Sequence, residues 1–475
     1  MLYVPGMTTE DQGSYRVEHD SMGEVRVPAT ALWGAQTARA VENFPISGLR
    51  PHPAYVDATV RIKIAAARAN ARLGLLPRAK ARAIEAAARE VLAGRWRDQF
   101  VVDVYQAGAG TSHHMNVNEV LANRAAELLG GRRGQRAVVD PNDDVNMAQS
   151  TNDVVPTAIR LAALELAPRA VAAIAALAGT FEAKARRWDG IVKAGRTHLM
   201  DATPLRLGQE VEGWAATLRA AGGRIRDALP ELSLVGLGGT AVGTGVNAHP
   251  RYRALAIAEL SRLAGVPLTP ARSLTGAMQS LGPFVALSGA LRAAATELIR
   301  IGGDVRLLGS GPATGLGELR LPAVQPGSSI MPGKVNPSMA EMLAMVAWQV
   351  IGLDAAIAGA AASAQLELDV LMPLVAFDLC HALQILAAAV EAFDWRCARG
   401  LEADAARARF YAERTVSLAT ALAPRLGYAG AAEIVKRSVA TGRSIEALAV
   451  ELGGLSRAEA RRILDPLRQT LPGRA

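Results

Sequence analysis

GSSIMPGKVNP, Gly327 to Pro337, gathers two glycines, two adjacent serines, a lysine, an asparagine and two prolines within eleven residues. Glycine loosens the backbone and proline removes a donor, so the stretch reads as a shaped loop, neither helix nor strand. Two hydroxyls, one cation, one amide and freed backbone N–H groups suit an anionic ligand that is held and then attacked by a base. The residues that follow, Ser338 to Leu353, are apolar and rich in helix formers, with Pro337 and Ser338 as a helix start. The loop therefore stands on a rigid support. A phosphate-cradling loop is excluded, because five residues separate Gly327 from Gly333 where that motif has four, and Val335 follows Lys334 where it needs a hydroxyl.

Outward from this loop the chain has the composition of tightly packed helices. Of 475 residues half are apolar and only 4% aromatic, with alanine and leucine dominant and β-branched runs short. This predicts an all-α protein with a large core. A net charge of +8 would suit nucleic acid, but the arginines are scattered along helices and not clustered with aromatics, so they read as solvated faces. Cys380 and Cys397 lack metal spacing and fit two reduced structural thiols of a cytoplasmic protein. The first twenty residues read as loose, with Met7 an alternative start, and show no secretion signal. The apolar window Met342 to Ala362 nears spanning length but holds Gly352 and Asp354, which favours a buried helix of a multi-subunit bundle over a membrane span.

Five long helices are expected, over Val154–Trp188, Leu205–Leu229, Leu281–Leu308, Ser338–Ala364 and Leu368–Cys397. Two helices over Tyr55–Leu92, broken at Leu75–Arg78, and one over Asn116–Leu129 precede them, and short helices punctuated by Gly and Pro follow Ala406. Polar segments sit at the helix ends. Gln106 to Gly131 offers Thr111, either a ligand donor or a helix cap. His113 and His114 are adjacent, so on a helix they point about 100° apart and cannot chelate one metal. Ser150, Thr151 and Asn152 stand before an apolar run, where a helix dipole favours an anion. Gly195 to Pro204, GRTHLMDATP, reads as a polar loop carrying His198, and a lone histidine is more often structural than catalytic. Gly236 to Ala248 twice matches G-x-G-x-x-A, but no βαβ unit surrounds it and it reads as a close-packed loop.

These blocks resemble the fumarase and aspartase branch of the fumarase/aspartase superfamily. The signature loop matches letter for letter, and Asp20–Gly48, GAGTS (108–112), QSTND (149–153), GRTHLMDATP and QLEL (365–368) follow in order over about residues 15 to 470. The resemblance implies a three-domain fold: a mainly helical domain 1–151, a central five-helix bundle 152–406 carrying the loop, and a small helical domain 407–475. It implies a homotetramer with a twenty-helix core, each site shared among three subunits. The chemistry it implies is reversible anti elimination from a small dicarboxylate to give fumarate, through an aci-carboxylate intermediate, without cofactor or metal and without nucleic-acid or membrane partners. By the same analogy Ser328 is the general base, Lys334 and Asn336 stabilise the developing charge, and Glu341 orients His198. Thr111, Ser150, Thr151 and Ser329 hold the far carboxylate, Thr197 binds the reacting one, and Asn152 and His198 contact the leaving group.

The local signals divide over the leaving group. GAGTS, QSTND, QLEL and the tail LDPLRQTLPG resemble bacterial aspartases, whereas LWGAQTARA and DATP resemble class II fumarases. The balance points to elimination of ammonia from aspartate, with hydration of fumarate, or another fumarate adduct, as the alternative. Three positions depart from the family pattern: His114 and Asp369 where asparagine is usual, and Ala148 where serine is. Each alters the donors and acceptors near the pocket.

Overall fold

The structure is a computed structural model of the chain and describes residues 15–473. All five expected long helices are present, as Thr151–Arg187, Leu207–Leu232, Gly282–Leu308, Ser338–Ala362 and Met372–Arg396. The earlier pair forms Pro53–Arg72 and Arg78–Leu92, separated at the turn that Pro77 marks. Met7 lies outside the described residues. Of the twenty expected to be loose, Tyr15–Asp20 instead pairs antiparallel with Gly23–Pro28, because the Val25-Arg26-Val27 run alternates in strand fashion and needs a partner. Among the described residues the sheets are four two-stranded pairs, and the fold is all-α in character.

Two compact units divide the chain, each discontinuous. One comprises residues up to Val171 with Gly223–Ala293 and Gln349–Leu386; the other comprises Ala172–Gly222, Ala294–Trp348 and Ala387 onward. Each of the five long helices starts in one unit and ends in the other. The expected domain boundaries 151/152 and 406/407 fall in the first turns of the helices Thr151–Arg187 and Ala405–Ala412.

In the first unit, apolar residues at helical spacing on Pro53–Arg72, Arg78–Leu92 and Thr111–Leu128 interlock around Val60, Ile64, Ile84, Val117 and Leu121. A buried carboxylate fastens the N-terminal block to this core: Glu119 accepts from the N–H groups of Gly34, Gln36 and Thr37 and from the Thr37 hydroxyl, capping the helix Ala35–Asn43. In the second unit, Phe181 packs edge-on against Trp214, whose indole N–H reaches Asp304 at 3.2 Å, and Thr180 donates to Asp394 at 2.6 Å. Small residues let the Gly282–Leu308 and Ser338–Ala362 helices approach at Gly302, where an added Cβ would meet the Ala340 carbonyl at 3.5 Å. A separate small core, Leu418, Leu422, Ile434, Leu448 and Leu464, holds the C-terminal helices, including the expected Ser456–Glu459 capping box.

Candidate active site

In the second unit the signature loop is closed at its base by its own residues. The Gly327 N–H donates to the Lys334 carbonyl at 3.0 Å, and Asn336 Nδ2 donates to the Gly327 carbonyl at 2.5 Å. Glycine is required at 327, since a Cβ there would lie 2.2 Å from the Lys334 oxygen. Inside the closed loop the Ile330 and Met331 N–H groups both donate to Ser328 Oγ, at 3.2 and 3.0 Å. That oxygen thus sits where two dipoles favour negative charge. Ser329 beside it is exposed. Lys334, Asn336 and Glu341 share a cleft of about 960 Å³ with Arg306, Arg320 and Arg407. Asn336 thus closes the loop with one N–H, and its amide has a second N–H and an oxygen able to hydrogen-bond elsewhere. Glu341 lies 3.7 Å from Arg306, and among the described residues no hydrogen bond joins it to His198 within one chain.

The expected polar loop at 195–204 is a β-hairpin, Val192–Thr197 against Met200–Arg206. His198 and Leu199 form its two-residue tip with φ of 57° and 61°, left-handed at both positions as a type I′ turn demands. Such turns prefer Asn-Gly, so a His-Leu tip stores strain of the kind found at functional positions. The hairpin was hidden because its anchors are remote: Arg196 makes a two-pronged contact with the buried Glu318, at 2.9 and 3.1 Å, and Lys193 binds Glu210 at 2.9 Å. Thr197 and His198 are exposed on it.

The remaining site residues belong to the first unit. The helix expected from Asn116 starts five residues earlier, at Thr111, because Ala109 (φ 60°) and Gly110 (φ 88°) turn the backbone left-handed immediately before it. Gly110 is the N-cap, so Thr111 is left with an exposed hydroxyl at a helix start. A Cβ on Gly110 would meet Val155 at 3.2 Å, which shows how closely this turn packs on the first turns of Thr151–Arg187, the helix carrying Ser150, Thr151 and Asn152 at its N-terminus. Two helix N-termini, each bearing hydroxyls, therefore converge, an arrangement suited to a carboxylate. Ser150 Oγ accepts from the Asn152 N–H at 3.3 Å, and Asn152 Nδ2 donates to the Ala241 carbonyl at 2.8 Å, which turns its amide oxygen away as a remaining acceptor.

Asp153, which sequence reasoning passed over inside QSTND, ties this turn to the glycine-rich loop: it is fully buried and accepts from the N–H groups of Ser150, Gly238 and Thr240. Burial pushes its carboxyl up to about 6 against the pull of those donors. Lys63 was also missed. It lies wholly buried on an apolar helix, with Nζ 2.5 Å from His114 Nε2, 2.9 Å from Gln149 Oε1 and 3.1 Å from Asn146 Oδ1. Its only mark in the sequence is a charge within the run RIKIAAA.

The two histidines diverge as expected of neighbours on a helix. His113 stacks on Tyr55 at 4.1 Å and reaches Thr59, and His114 turns to Lys63 and Thr151. Burial and the Lys63 charge hold His113 at about 3 and His114 well below the ordinary range, so both rings are neutral. Of the other departures, Ala148 takes a left-handed φ of 61°, and Asp369 is buried, its Oδ2 without a hydrogen-bond partner among the described residues while Oδ1 accepts from the Leu371 N–H, burial pushing its carboxyl up.

The candidate residues thus form two groups: Thr111, Ser150, Thr151 and Asn152 in one unit, and Thr197, His198, Ser328, Ser329, Lys334, Asn336 and Glu341 in the other. Among the described residues no cluster of three His, Cys, Asp or Glu could hold a metal ion.

Comparison with known proteins places these groups in a family. A family model described as lyase matches residues 23–352, and one described as fumarase C C-terminus matches residues 418–470. The chain is 46% identical over 439 residues to the class II fumarate hydratase of Ralstonia nicotianae, covering 92% of this chain and 95% of that protein. It is 42% identical over 462 residues to the aspartate ammonia-lyase of Bacillus subtilis, covering 97% of each. A crystal structure of fumarate lyase:delta crystallin from Brucella melitensis superposes with a TM-score of 0.92 at 47% identity, over 97% of this chain and all of that one. With its signature loop, its long helices and nearly its whole length matched in this way, the chain belongs to the fumarase/aspartase superfamily of lyases.

Proposed function

We propose that the protein interconverts L-aspartate with fumarate and ammonia, by anti elimination with Ser328 as the general base. The observation that carries the base is the pair of N–H groups aimed at Ser328 Oγ. A proton next to a carboxylate is weakly acidic, and a serine can remove it only as an alkoxide whose pKa is lowered by such donors. Electrons from the broken C–H bond pass into the adjacent carboxylate, and Lys334, Asn336 and Thr197 stabilise the resulting aci-carboxylate. Thr111, Ser150, Thr151 and Ser329 hold the far carboxylate, and the leaving amine departs past Asn152 and His198, with Glu341 orienting the histidine.

The choice of ammonia rests on Asn152. Its amide is turned by the bond to Ala241 so that the oxygen remains as an acceptor, which suits an ammonium group that can only donate. Hydration of fumarate to malate stands beside it as a second reading, favoured by the higher identity to fumarate hydratase (46%) than to aspartate ammonia-lyase (42%). Incubation with fumarate, with and without ammonia, separates them: ammonia-dependent loss of fumarate absorbance with aspartate as product supports the first, and malate formed without ammonia replaces it by the second.

A homotetramer in a cytoplasmic compartment goes with this reading. The Ser338–Ala362 helix is apolar enough to span a membrane, yet only 33% of its most apolar window is buried within the chain, as befits a helix covered by other copies. Cys380 and Cys397 are buried free thiols.

A further inference from the structure

The group around Lys63 has a direction that follows from the charge on its amine. Gln149 Nε2 donates to the carbonyls of Val145 and Met147, and Asn146 Nδ2 donates to the carbonyl of Gln149. Both amides therefore have their NH₂ ends engaged and turn their oxygens to Lys63 Nζ, at 2.9 and 3.1 Å. Two of the lysine's protons are thereby assigned. The third neighbour is His114 Nε2 at 2.5 Å. As an ammonium Lys63 has three protons and no acceptor, so Nε2 then accepts and the ring carries its own proton on Nδ1; as a neutral amine it would give both protons to the amide oxygens and accept from Nε2–H. Nδ1 lies 2.9 Å from Thr151 Oγ1, so it donates there. The Thr151 hydroxyl, with its oxygen already occupied as an acceptor, has its own proton left to give.

We propose that Lys63 and His114 are positioning residues that orient the Thr151 hydroxyl as a hydrogen-bond donor toward a substrate carboxylate. This rests on the functional reading above, in which Thr151 holds the far carboxylate. Neither residue touches substrate: the effect is relayed from Lys63 through the imidazole to Thr151. Burial pushes the Lys63 amine well below its ordinary range against the pull of the buried Asp153, and the negative charge of a dianion bound beside Thr151 adds to that pull and favours the ammonium form. The alternative orientation, with neutral Lys63 accepting from Nε2–H and Nδ1 taking the threonine proton, would leave Thr151 facing a carboxylate oxygen with its own lone pairs.

The test is a double-substitution cycle on the intact protein, read by calorimetric binding of succinate, a dicarboxylate without a leaving group, and by KM and kcat for fumarate. His114→Leu, Lys63→Met and Thr151→Val are each expected to weaken succinate binding and raise KM by about tenfold or more, the loss of one hydrogen bond to a charged group. kcat is expected to change less than KM. Because all three act through one hydroxyl, His114→Leu added to Thr151→Val is expected to cost nothing further. His114→Asn, which keeps one acceptor and one donor, is expected to stay within about threefold of the wild type and guards against loss of fold. Additive losses in the double variant, or equal losses in His114→Asn and His114→Leu, would overturn the proposal while wild-type turnover left the functional reading intact. Absence of wild-type turnover with either water or ammonia would overturn both.

Discussion

A serine whose oxygen already receives two backbone N–H groups differs from an ordinary surface serine in what happens when it loses its proton. Ser328→Ala removes the proposed base and leaves the loop's closure, which depends on Gly327, Lys334 and Asn336, unaltered. The variant is expected to lose turnover by about 10²–10⁴-fold, the range for a general base, while binding succinate as the wild type does; substantial residual elimination would remove Ser328 from that role. A second residue is predicted to act on stability through pH. Asp378 is buried, its Oδ2 has no hydrogen-bond partner among the described residues, and burial pushes its carboxyl up to about 7. Its folded-state pKa is above the unfolded value of about 4, so its ionisation destabilises the fold progressively from pH 4 to 7 and fully above that. Asp378→Asn is expected to stabilise by about 1–2 kcal/mol at pH 8 and by little near pH 4, measured as Tm at both; a gain that ignored pH would refute the assignment. At this scale the sequence was legible where residues announce themselves by type and position: the divergence of His113 and His114 follows from 100° per residue. Lys63 and Asp153 were not legible, because a buried charge is recognisable only once its distant partners, Gln149 or Gly238, are brought beside it.

Helices could be read closely because each carries its own periodicity, and the five long ones start and end within a few residues of where the apolar pattern does. The hairpin Val192–Thr197 and Met200–Arg206 could not, since its strands are short and polar, it bulges where Gly195 passes Thr203, and the charge that anchors Arg196 is Glu318, far along the chain. The helix start at Thr111 was likewise hidden in the left-handed turn before it. The signature loop lies between these cases, with a composition that excluded regular structure but left its closure unstated. That closure gives a prediction. A methyl at 327 meets the Lys334 carbonyl at 2.2 Å and the Asn336 N–H nitrogen at 2.7 Å, so Gly327→Ala must part the base of the loop. The loop is largely exposed and adds little to the core, so Tm is expected to shift by no more than about 1 kcal/mol equivalent. Turnover is expected to fall at least about tenfold as the Ile330 and Met331 donors move off Ser328, in keeping with the cost of a small misplacement at the reacting atoms. Wild-type kcat in Gly327→Ala would mean that the closed loop is not the working one.

The whole molecule carries an imbalance that one chain does not resolve. Met345 and Trp348, three residues apart on one face of Ser338–Ala362, are 70% and 62% exposed, and Trp395 near the end of Met372–Arg396 is 65% exposed. A contiguous apolar face on a long helix marks an interface, and permanent assemblies bury such faces over about 2,000 Å² or more. The same helix begins directly after the signature loop, so whatever covers it also sits close to Ser328 and Lys334 in the chain. Trp348→Glu combined with Met345→Lys is therefore expected to convert the proposed tetramer into smaller species without unfolding the helices, read by light scattering alongside far-ultraviolet circular dichroism. If sites are shared among subunits, turnover should fall with the tetramer fraction and return when high protein concentration restores it. A monomer retaining full turnover would show instead that one chain completes its own site, and a variant that stayed tetrameric would exclude this face as the contact.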